Sequence, residues 1–271
     1  MHINHDDVIQ VIREASANHI LPLWKNLEDH HVDDKGGGDL VTAADRACEL
    51  FLTEELSKIV DRSLVVGEEA VSENAAALGA LESDQAVWVV DPLDGTRNFA
   101  HHRQPFGVMV ALVKQGETLA GWIYDPLSES LLSAELGAGC LLDGQRVSLQ
   151  AEDKSSGAMR GAVLTGYLPQ GLREHVKAQL QQFAEHRSFR CAAHDYRRLV
   201  TGEVDFLLYY RTCVWDHAPG VLIAGEAGAV AARYNGVAYS PRSKDAGLLC
   251  ASTSGNWQTA KDLLIPPRWE N

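Results

Sequence analysis

Acidic residues stand at the ends of several short apolar runs in this sequence, at Glu68, Glu69, Asp91, Asp94 and Asp216. A short apolar run is typical of a buried strand, so the acids that follow would gather at the rim of a sheet or at the start of a helix. Their carboxylate oxygens would suit Mg²⁺ or Mn²⁺ better than Zn²⁺. Taken singly, each acid also has a structural explanation, because Asp is common in turns and in the first turn of helices.

The segment from residue 91 to residue 96 places two of these acids in the sequence Asp-Pro-Leu-Asp-Gly-Thr. Pro92 fixes its own backbone and favours an extended conformation at Asp91. Asp91 and Asp94 can then converge on one point, with the carbonyl of Leu93 between them. The amides that follow Asp94 could receive a phosphate if a helix begins there. The segment therefore predicts a site for a divalent cation and a phosphate group.

The overall charge limits the partners that the protein can have. Among 271 residues, 24 are basic and 37 are acidic, which gives a net charge of −13. This charge argues against binding to nucleic acid or to an anionic membrane, although bound cations could still admit an anionic substrate. No apolar run approaches the ~18–20 residues of a membrane span, and the polar amino terminus is unlike a signal peptide. Five widely spaced cysteines without a C-x-x-C pair predict reduced thiols and a cytoplasmic protein.

The hydrophobic pattern divides the chain into two tightly packed halves. Residues 1–135 are predicted to form two helices and an antiparallel sheet that carries most of the acids, and residues 136–271 to alternate strands and helices around the substrate pocket. The helices are predicted over 8–27 with a kink at Pro22, after Thr42, and over 172–183, 195–200, 216–227 and 257–264. The strands are predicted over 63–66, 87–90, 106–113, 119–124, 131–147, 162–164, 205–210 and 248–252. Glycines 36–38 are predicted to form a loop, and Thr42 with Asp45 to form a capping motif.

Four motifs resemble those of the inositol monophosphatase-like family of lithium-sensitive, Mg²⁺-dependent phosphatases, and they occur in the family's order. The first two are residues 39–45 and the Gly-Glu-Glu at 67–69. The third, at residues 90–99, reads Val-Asp-Pro-Leu-Asp-Gly-Thr-Arg-Asn-Phe and closely matches the family signature. The fourth is Trp-Asp-His-Ala-Pro-Gly at 215–220, followed by Gly-Glu-Ala-Gly at 225–228. The resemblance spans nearly the whole chain.

The resemblance implies an α+β fold, a layered α/β/α/β/α sandwich of the inositol monophosphatase and fructose-1,6-bisphosphatase type, and a homodimer. It implies metal ligands at Glu68, Asp91, Leu93 (through its carbonyl), Asp94 and Asp216. It implies catalytic residues at Asp45, Glu69 and Thr96. It implies substrate contacts at Leu93, Asp94, Gly95, Thr96, Tyr209 and Asp216.

The activity implied by the resemblance is hydrolysis of a small phosphorylated metabolite by water, without a phosphoenzyme. Two or three Mg²⁺ ions, which Mn²⁺ could replace, would cancel the charge of the acids and activate the water. Thr96, hydrogen-bonded to Asp45, would orient and deprotonate that water. Glu68 and Glu69 would help to hold a third ion through water. Inhibition by lithium is a family expectation.

One departure from the family pattern leaves the substrate open. Inositol-specific members carry a glutamate seven residues before the C-terminal aspartate, where this sequence has Tyr209. Inositol monophosphate is the first expectation, and histidinol phosphate is the main alternative, ahead of fructose 1,6-bisphosphate and 3′-phosphoadenosine nucleotides. Outside the enzymes, the alternative is a non-catalytic, metal-dependent binding or regulatory protein on the same fold.

Several residues near the motifs have no assigned role in catalysis. Arg97 and His217 could lie at the site or be structural. His194 is expected to cap a helix and Arg197 to be solvated. The pair His101-His102 is expected at the surface or in a subunit contact.

Overall fold

The computed structural model describes residues 3–28, 31–34, 36 and 40–269. Within these ranges no helix is both long and apolar enough to span a membrane. Two of the predicted loop glycines, Gly37 and Gly38, and Asp39 of the first motif lie outside the described residues.

The described residues form helices and strands along the whole chain. The helices are α1 (His5–Ala15), α2 (Ala43–Ile59), α3 (Glu68–Glu73), α4 (Thr96–Ala100), α5 (Gln170–Gln179), α6 (Ala192–Val200), α7 (Val214–Glu226) and α8 (Ser254–Leu264). The strands are β1 (Val32–Asp34), β2 (Leu40–Thr42), β3 (Leu64–Gly67), β4 (Ala86–Asp94), β5 (Gly107–Lys114), β6 (Glu117–Asp125), β7 (Ser130–Glu135), β8 (Gly139–Leu142), β9 (Gln145–Val147), β10 (Arg160–Val163), β11 (Glu185–Arg187), β12 (Phe206–Tyr209), β13 (Val230–Ala232) and β14 (Leu248–Ala251).

These elements stack as five layers. One face of a seven-stranded sheet, in the order β3-β4-β5-β6-β7-β8-β9, is covered by α1 and α2. Its other face packs against α6 and α7, which also cover a five-stranded sheet in the order β11-β10-β12-β14-β13. Helices α5 and α8 close the far side of that second sheet. The predicted α+β sandwich with α/β/α/β/α layers is therefore confirmed.

Strand β4 is apolar at every position from residue 86 to residue 90 because both of its faces are buried. Trp88 and Val90 lie in the core beneath α1 and α2, whereas Val87 and Val89 lie in the core beneath α7. Successive side chains of a strand point to opposite faces, so a strand buried on both faces needs apolar residues at every position.

Strand β4 extends beyond its predicted end at residue 90 and reaches Asp94. Asp91 pairs with Met109 and Asp94 with Gly107, so two residues of β4 stand opposite one residue of β5. This β-bulge accommodates Pro92, which has no N–H for the ladder. Residues three apart in a regular strand point to opposite faces, but the bulge lets Asp91 and Asp94 line the same cavity.

The first predicted helix changes its geometry before the proline instead of bending at it. Regular α-helix ends at Ala15, and the chain continues as a π-helical turn over Ser16–Ile20 and a 3₁₀ turn over Leu21–Leu23. Pro22 cannot donate to the residue four positions earlier, and its ring would clash with that carbonyl, so α-helical geometry is lost over the preceding turn.

Several short elements were not predicted. They are helix α3, which follows Gly67 directly, strands β1 and β2, which form a two-stranded sheet, and the three-residue strands β11 and β13 at the two edges of the second sheet. The elements predicted after residue 160 are otherwise present, with ends displaced by a few residues. The division predicted after residue 135 falls between β7 and β8, which are adjacent strands of the first sheet.

Candidate active site

One cavity of about 630 Å³ brings together most of the predicted site residues. Its wall includes Glu68, Asp91, Asp94, Gly95, Thr96, Tyr209 and Asp216. The other predicted residues, Asp45, Glu69 and Leu93, are buried. Asp45 and the Leu93 carbonyl each contact Thr96.

Asp91 is a buried acid of this cavity, and the charges of the other acids act on it. Only 2% of its surface is exposed. Burial raises the pKa of Asp91 well above its usual range, and the nearby charges of Glu68, Asp94 and Asp216 raise it further. Several carboxylates from separate elements therefore meet around one buried group. Buried charges of one sign are costly unless counter-charges accompany them.

The donor set fits hard divalent cations such as Mg²⁺. The wall offers the carboxylate oxygens of Glu68, Asp91, Asp94 and Asp216, and among its described residues Cys191 carries the one sulfur and no histidine is present. Within the described residues, no three acidic, histidine or cysteine side chains are placed to hold a metal ion as they stand. In this arrangement Asp94 Oδ2 accepts hydrogen bonds from the Ala193 amide at 2.6 Å and from the Cys191 thiol at 3.0 Å.

Thr96 and Asp45 form the predicted hydrogen bond. Thr96 Oγ1 lies 2.9 Å from Asp45 Oδ1 and 3.0 Å from the Leu93 carbonyl oxygen, so its single proton can go to either acceptor. The other oxygen of Asp45 accepts from the amide and the hydroxyl of Thr42, at 2.8 and 2.5 Å. Asp45 therefore closes the capping box of α2 and also contacts the active-site hydroxyl.

The environment of Asp45 changes its acidity. Burial is the largest effect and raises the pKa of Asp45 to about 7, the Thr42 hydroxyl lowers it, and the charge of Glu69 raises it again. A carboxyl group with a pKa near neutrality can exchange a proton at physiological pH.

Gly95 makes the turn from β4 into α4 possible. Its φ is 89°, in the left-handed region that favours glycine. A Cβ at this position would lie 2.9 Å from the Pro105 carbonyl oxygen. The chain can therefore start α4 at Thr96, on the cavity wall, immediately after Asp94.

Glu49 is a buried acid near the site that the sequence analysis missed. Its Oε2 accepts from the Glu69 amide and its Oε1 from the Ala70 amide, both at 2.8 Å, at the start of α3. A Cβ on Gly67 would lie 2.2 Å from the Glu49 carboxyl carbon, so only glycine leaves room for this contact. One signal was available, because Glu49 follows Asp45 by four residues and hence shares its face of α2.

Tyr209 reaches the cavity together with Asp195, which was not predicted. The Tyr209 hydroxyl donates to Asp195 Oδ2 at 2.9 Å, and both residues line the cavity. Nothing local in the sequence distinguishes Asp195, since its position depends on the packing of α6 against β12.

Basic and aromatic residues also line the cavity. Arg97, Arg190 and Arg211 lie on the wall, and the Arg211 guanidinium stands 4.9 Å from the centre of the Tyr167 ring. Arg190 has a φ of 54°, which is strained for a residue with a side chain.

The histidines and Arg197 take structural positions. His217 is buried, with Nδ1 2.9 Å from the Tyr196 hydroxyl and Nε2 3.3 Å from the Arg211 carbonyl. His194 does not cap α6; its Nε2 lies 3.6 Å from Asp125. Arg197 is not simply solvated, because it donates to Ser130 Oγ at 2.6 Å. His101 and His102 are exposed, as expected.

Comparison with known proteins agrees with this architecture. The inositol monophosphatase family model matches residues 5–271. The Nus factor SuhB of Vibrio cholerae is 30% identical over 94% of this chain and 98% of its own length. The inositol-1-monophosphatase of Rhizobium meliloti is 32% identical over 74% of this chain and 75% of its own length.

Solved structures show the same fold. The extragenic suppressor protein suhB of Bartonella henselae superposes with a TM-score of 0.82 at 26% identity, covering 97% of this chain and 98% of that one. With the family match over nearly all its length, the chain belongs to the inositol monophosphatase family.

Proposed function

We propose that the protein is a Mg²⁺-dependent phosphatase that hydrolyses a small phosphomonoester, with inositol monophosphate as the first candidate substrate. One observation carries the proposal: the carboxylates of Glu68, Asp91, Asp94 and Asp216 face one cavity beside the Thr96–Asp45 pair. Acids crowded this closely would repel a phosphate ester. Bound cations would neutralise the acids and allow the ester to bind.

The proposal assigns the acids to cation binding. Glu68, Asp91 and the Leu93 carbonyl would hold one ion, and Asp91 would share a second with Asp94 and Asp216. Glu68 and Glu69 would help to hold a third through water. Bound divalent cations supply charge neutralisation, a more acidic water and in-line alignment of the ester.

The proposal assigns proton transfer to Thr96 and Asp45. The Thr96 hydroxyl would orient the attacking water and pass its own proton to Asp45 as it takes one from the water. The pKa of Asp45, about 7, suits this transfer at neutral pH. The water oxygen would bond to phosphorus as the ester P–O bond breaks, and the departing alkoxide would take up a proton from solvent to leave as the alcohol. Residues 93–96 would hold the phosphate.

Phosphate release from a panel of esters tests the proposal. The panel comprises inositol 1-phosphate, histidinol phosphate, fructose 1,6-bisphosphate and 3′-phosphoadenosine 5′-phosphate, each with Mg²⁺, with EDTA, and with Mg²⁺ and Li⁺. We expect release that requires Mg²⁺, is inhibited by Li⁺ and favours one ester. Release that continues undiminished in EDTA would contradict the proposal.

A second candidate function is a metal-dependent binding or regulatory role without significant turnover. It is favoured by the similarity to proteins named Nus factor SuhB, at 30% identity over 94% of the chain. The intact set of acids and the Thr96–Asp45 pair favour the enzyme instead. Absence of release from every ester in the panel, with cations still bound, would support the second candidate.

We also propose that the protein acts as a homodimer in the cytoplasm. Light scattering on the protein as it elutes from a size-exclusion column would then give twice the chain mass of 29.6 kDa. A mass of one chain at micromolar concentration would contradict the dimer.

A further inference from the structure

Asp195 is a buried acid on the cavity wall with one oxygen unused. It belongs to α6, is 4% exposed and lines the same cavity as the four acids assigned to the cations. Its Oδ2 accepts the Tyr209 hydroxyl at 2.9 Å. Its Oδ1 is buried and has no hydrogen-bond partner among the described residues. Nearly all buried polar atoms in proteins have a partner, so this oxygen needs an explanation.

The position of Asp195 places it beside the reaction centre. Two residues earlier on α6, the Ala193 amide donates to Asp94 at 2.6 Å, so the first turn of the helix is fixed to the carboxylate cluster. The charge of Asp94 also acts directly on Asp195. A group attached to a phosphate held next to Asp94 would therefore lie close to Asp195.

Tyr209 is tied to Asp195 by its hydroxyl. A phenol has one proton, and Tyr209 donates it to Asp195, so the carboxylate is the stronger acceptor of the pair. Tyr209 is 5% exposed, and its ring lies 4.6 Å from the buried His217 ring, which limits its movement. Tyr209 is thus a positioning residue that fixes the Asp195 carboxyl, whose Oδ1 is left without a partner among the described residues.

We infer that Asp195 determines substrate specificity by accepting, at Oδ1, a hydrogen bond from a donor on the leaving group of the ester. The donor is a hydroxyl or an ammonium group, since either satisfies a carboxylate oxygen. The inference rests on the proposed phosphatase function and narrows its substrates to esters whose alcohol carries such a donor near the phosphate.

The electrostatic environment supports an acceptor role. Burial raises the pKa of Asp195 to about 8, and the hydrogen bond from Tyr209 lowers it. A further donor at Oδ1 would favour the carboxylate form in the same way. Measurements at pH 8.5 favour the ionised form of the unliganded group.

The experiment compares kcat/KM for three esters in the unaltered protein and in Asp195→Ala and Asp195→Asn. Inositol 1-phosphate carries hydroxyl donors, histidinol phosphate carries an ammonium donor, and 4-nitrophenyl phosphate carries none. Asp195→Asn keeps the side-chain volume and an acceptor for Tyr209, so it covers the case in which Asp195→Ala fails to fold.

We expect each variant to lose about tenfold more kcat/KM with the preferred donor-bearing ester than with 4-nitrophenyl phosphate, as one hydrogen bond to a charged group warrants. A larger loss for histidinol phosphate identifies an ammonium donor, and a larger loss for inositol 1-phosphate identifies a hydroxyl.

Asp205→Asn is the matched control. Asp205 is 3% exposed, but its oxygens accept from Lys154 Nζ at 2.6 Å and the Arg160 amide at 2.8 Å, outside the cavity. This variant should lower stability without changing the ratio between esters.

Two results would overturn the inference in distinguishable ways. If the unaltered protein hydrolyses the esters and the Asp195 variants change all three kcat/KM values equally or not at all, the inference alone fails. If the unaltered protein hydrolyses none of them, the proposed function fails and the inference fails with it.

Discussion

At the scale of single residues, the site depends on acids placed where water cannot reach them freely. Asp91 is 2% exposed and Asp45 is fully buried, and burial is the largest cause of the raised pKa of each. The sequence predicts these acids because each follows an apolar run or a helix start. It does not predict that Asp45 uses one oxygen for the helix cap and the other for Thr96. The same short motif at residues 42–45 would fit either use alone.

Replacing Asp91 tests its central position. We expect Asp91→Asn to lower kcat at least about 100-fold, because a shared ligand carrying charge is lost. The same change should raise the melting temperature in EDTA, because the cost of burying an ionisable carboxyl in a crowded acidic cluster is removed. Steady-state kinetics and a thermal melt measure the two effects.

Asp61→Asn is the control for Asp91, since the Asp61 side chain is 94% exposed. It should leave both quantities as they are in the unaltered protein. Equal kcat for Asp91→Asn and Asp61→Asn would show that Asp91 has no part in turnover.

The hydroxyl of Thr96 can be tested by a pair of substitutions. Thr96→Val keeps the shape but removes the proton donor, so we expect kcat to fall about 100-fold or more. Thr96→Ser keeps the hydroxyl beside Asp45 and should retain most of the activity. Comparable kcat values for the two variants would exclude the proton path from Thr96 to Asp45.

At the scale of elements, the site is built by local irregularities that bring side chains from distant parts of the chain together. The bulge in β4 turns Asp91 and Asp94 to one cavity, and Glu49 on α2 accepts the first amides of α3. The sequence predicts strand ends and helix starts because their signals lie within a few residues. It misses α3 and the Asp195–Tyr209 pair because the stabilising partner comes from another element.

The contact between α2 and α3 makes Gly67 a sensitive position. Gly67 has a φ of −101°, which alanine also adopts, so the effect of Gly67→Ala comes from the clash with the Glu49 carboxylate. We expect the free energy of unfolding to fall by about 1–3 kcal/mol. Mg²⁺ affinity should weaken as well, because Glu68 and Glu69 begin the displaced helix.

Gly79→Ala is the matched control, because no atom lies within 4 Å of a Cβ built there. The added methyl group should raise the free energy of unfolding by about 0.4–1 kcal/mol through the unfolded chain. Urea unfolding of both variants would contradict the account if Gly67→Ala were as stable as Gly79→Ala.

At the scale of the whole molecule, five layers enclose a cavity whose wall carries five acids and three arginines. The layer order was expected from the family resemblance and is confirmed, but the apolar pattern alone could not give it. Residues of both halves form the cavity, with Asp91 on the first sheet and Tyr209 on the second. Such contacts depend on tertiary packing, which a hydrophobic pattern does not record.

The buried acids make the stability of the fold depend on pH and on bound cations. The pKa values of Asp45 and Asp195 are raised from 3.8 to about 7 and about 8. Between the pH of the ordinary pKa and that of the raised pKa, the folded chain therefore holds more protons than the unfolded chain. Stability must then fall as pH rises. The buried His217, with its pKa lowered to about 3, opposes this trend only below about pH 6.5.

In EDTA, we therefore expect the unfolding free energy to fall by roughly 3 kcal/mol between pH 6.5 and 8.5. For a chain of this size, that corresponds to a drop of about 6–12 °C in melting temperature. Mg²⁺ should offset the drop, since it binds the folded carboxylates. A melting temperature that rises over this range in EDTA would contradict the assigned acidities.

The most direct test of the metal site is a count of bound Mn²⁺ by electron paramagnetic resonance. The unaltered protein, first freed of metal with EDTA, should bind two or three ions, and Asp91→Asn should bind at least one ion fewer or far more weakly. Binding of no ion by the unaltered protein, or identical binding by both proteins, would contradict the assignment of this cavity as a metal-dependent active site.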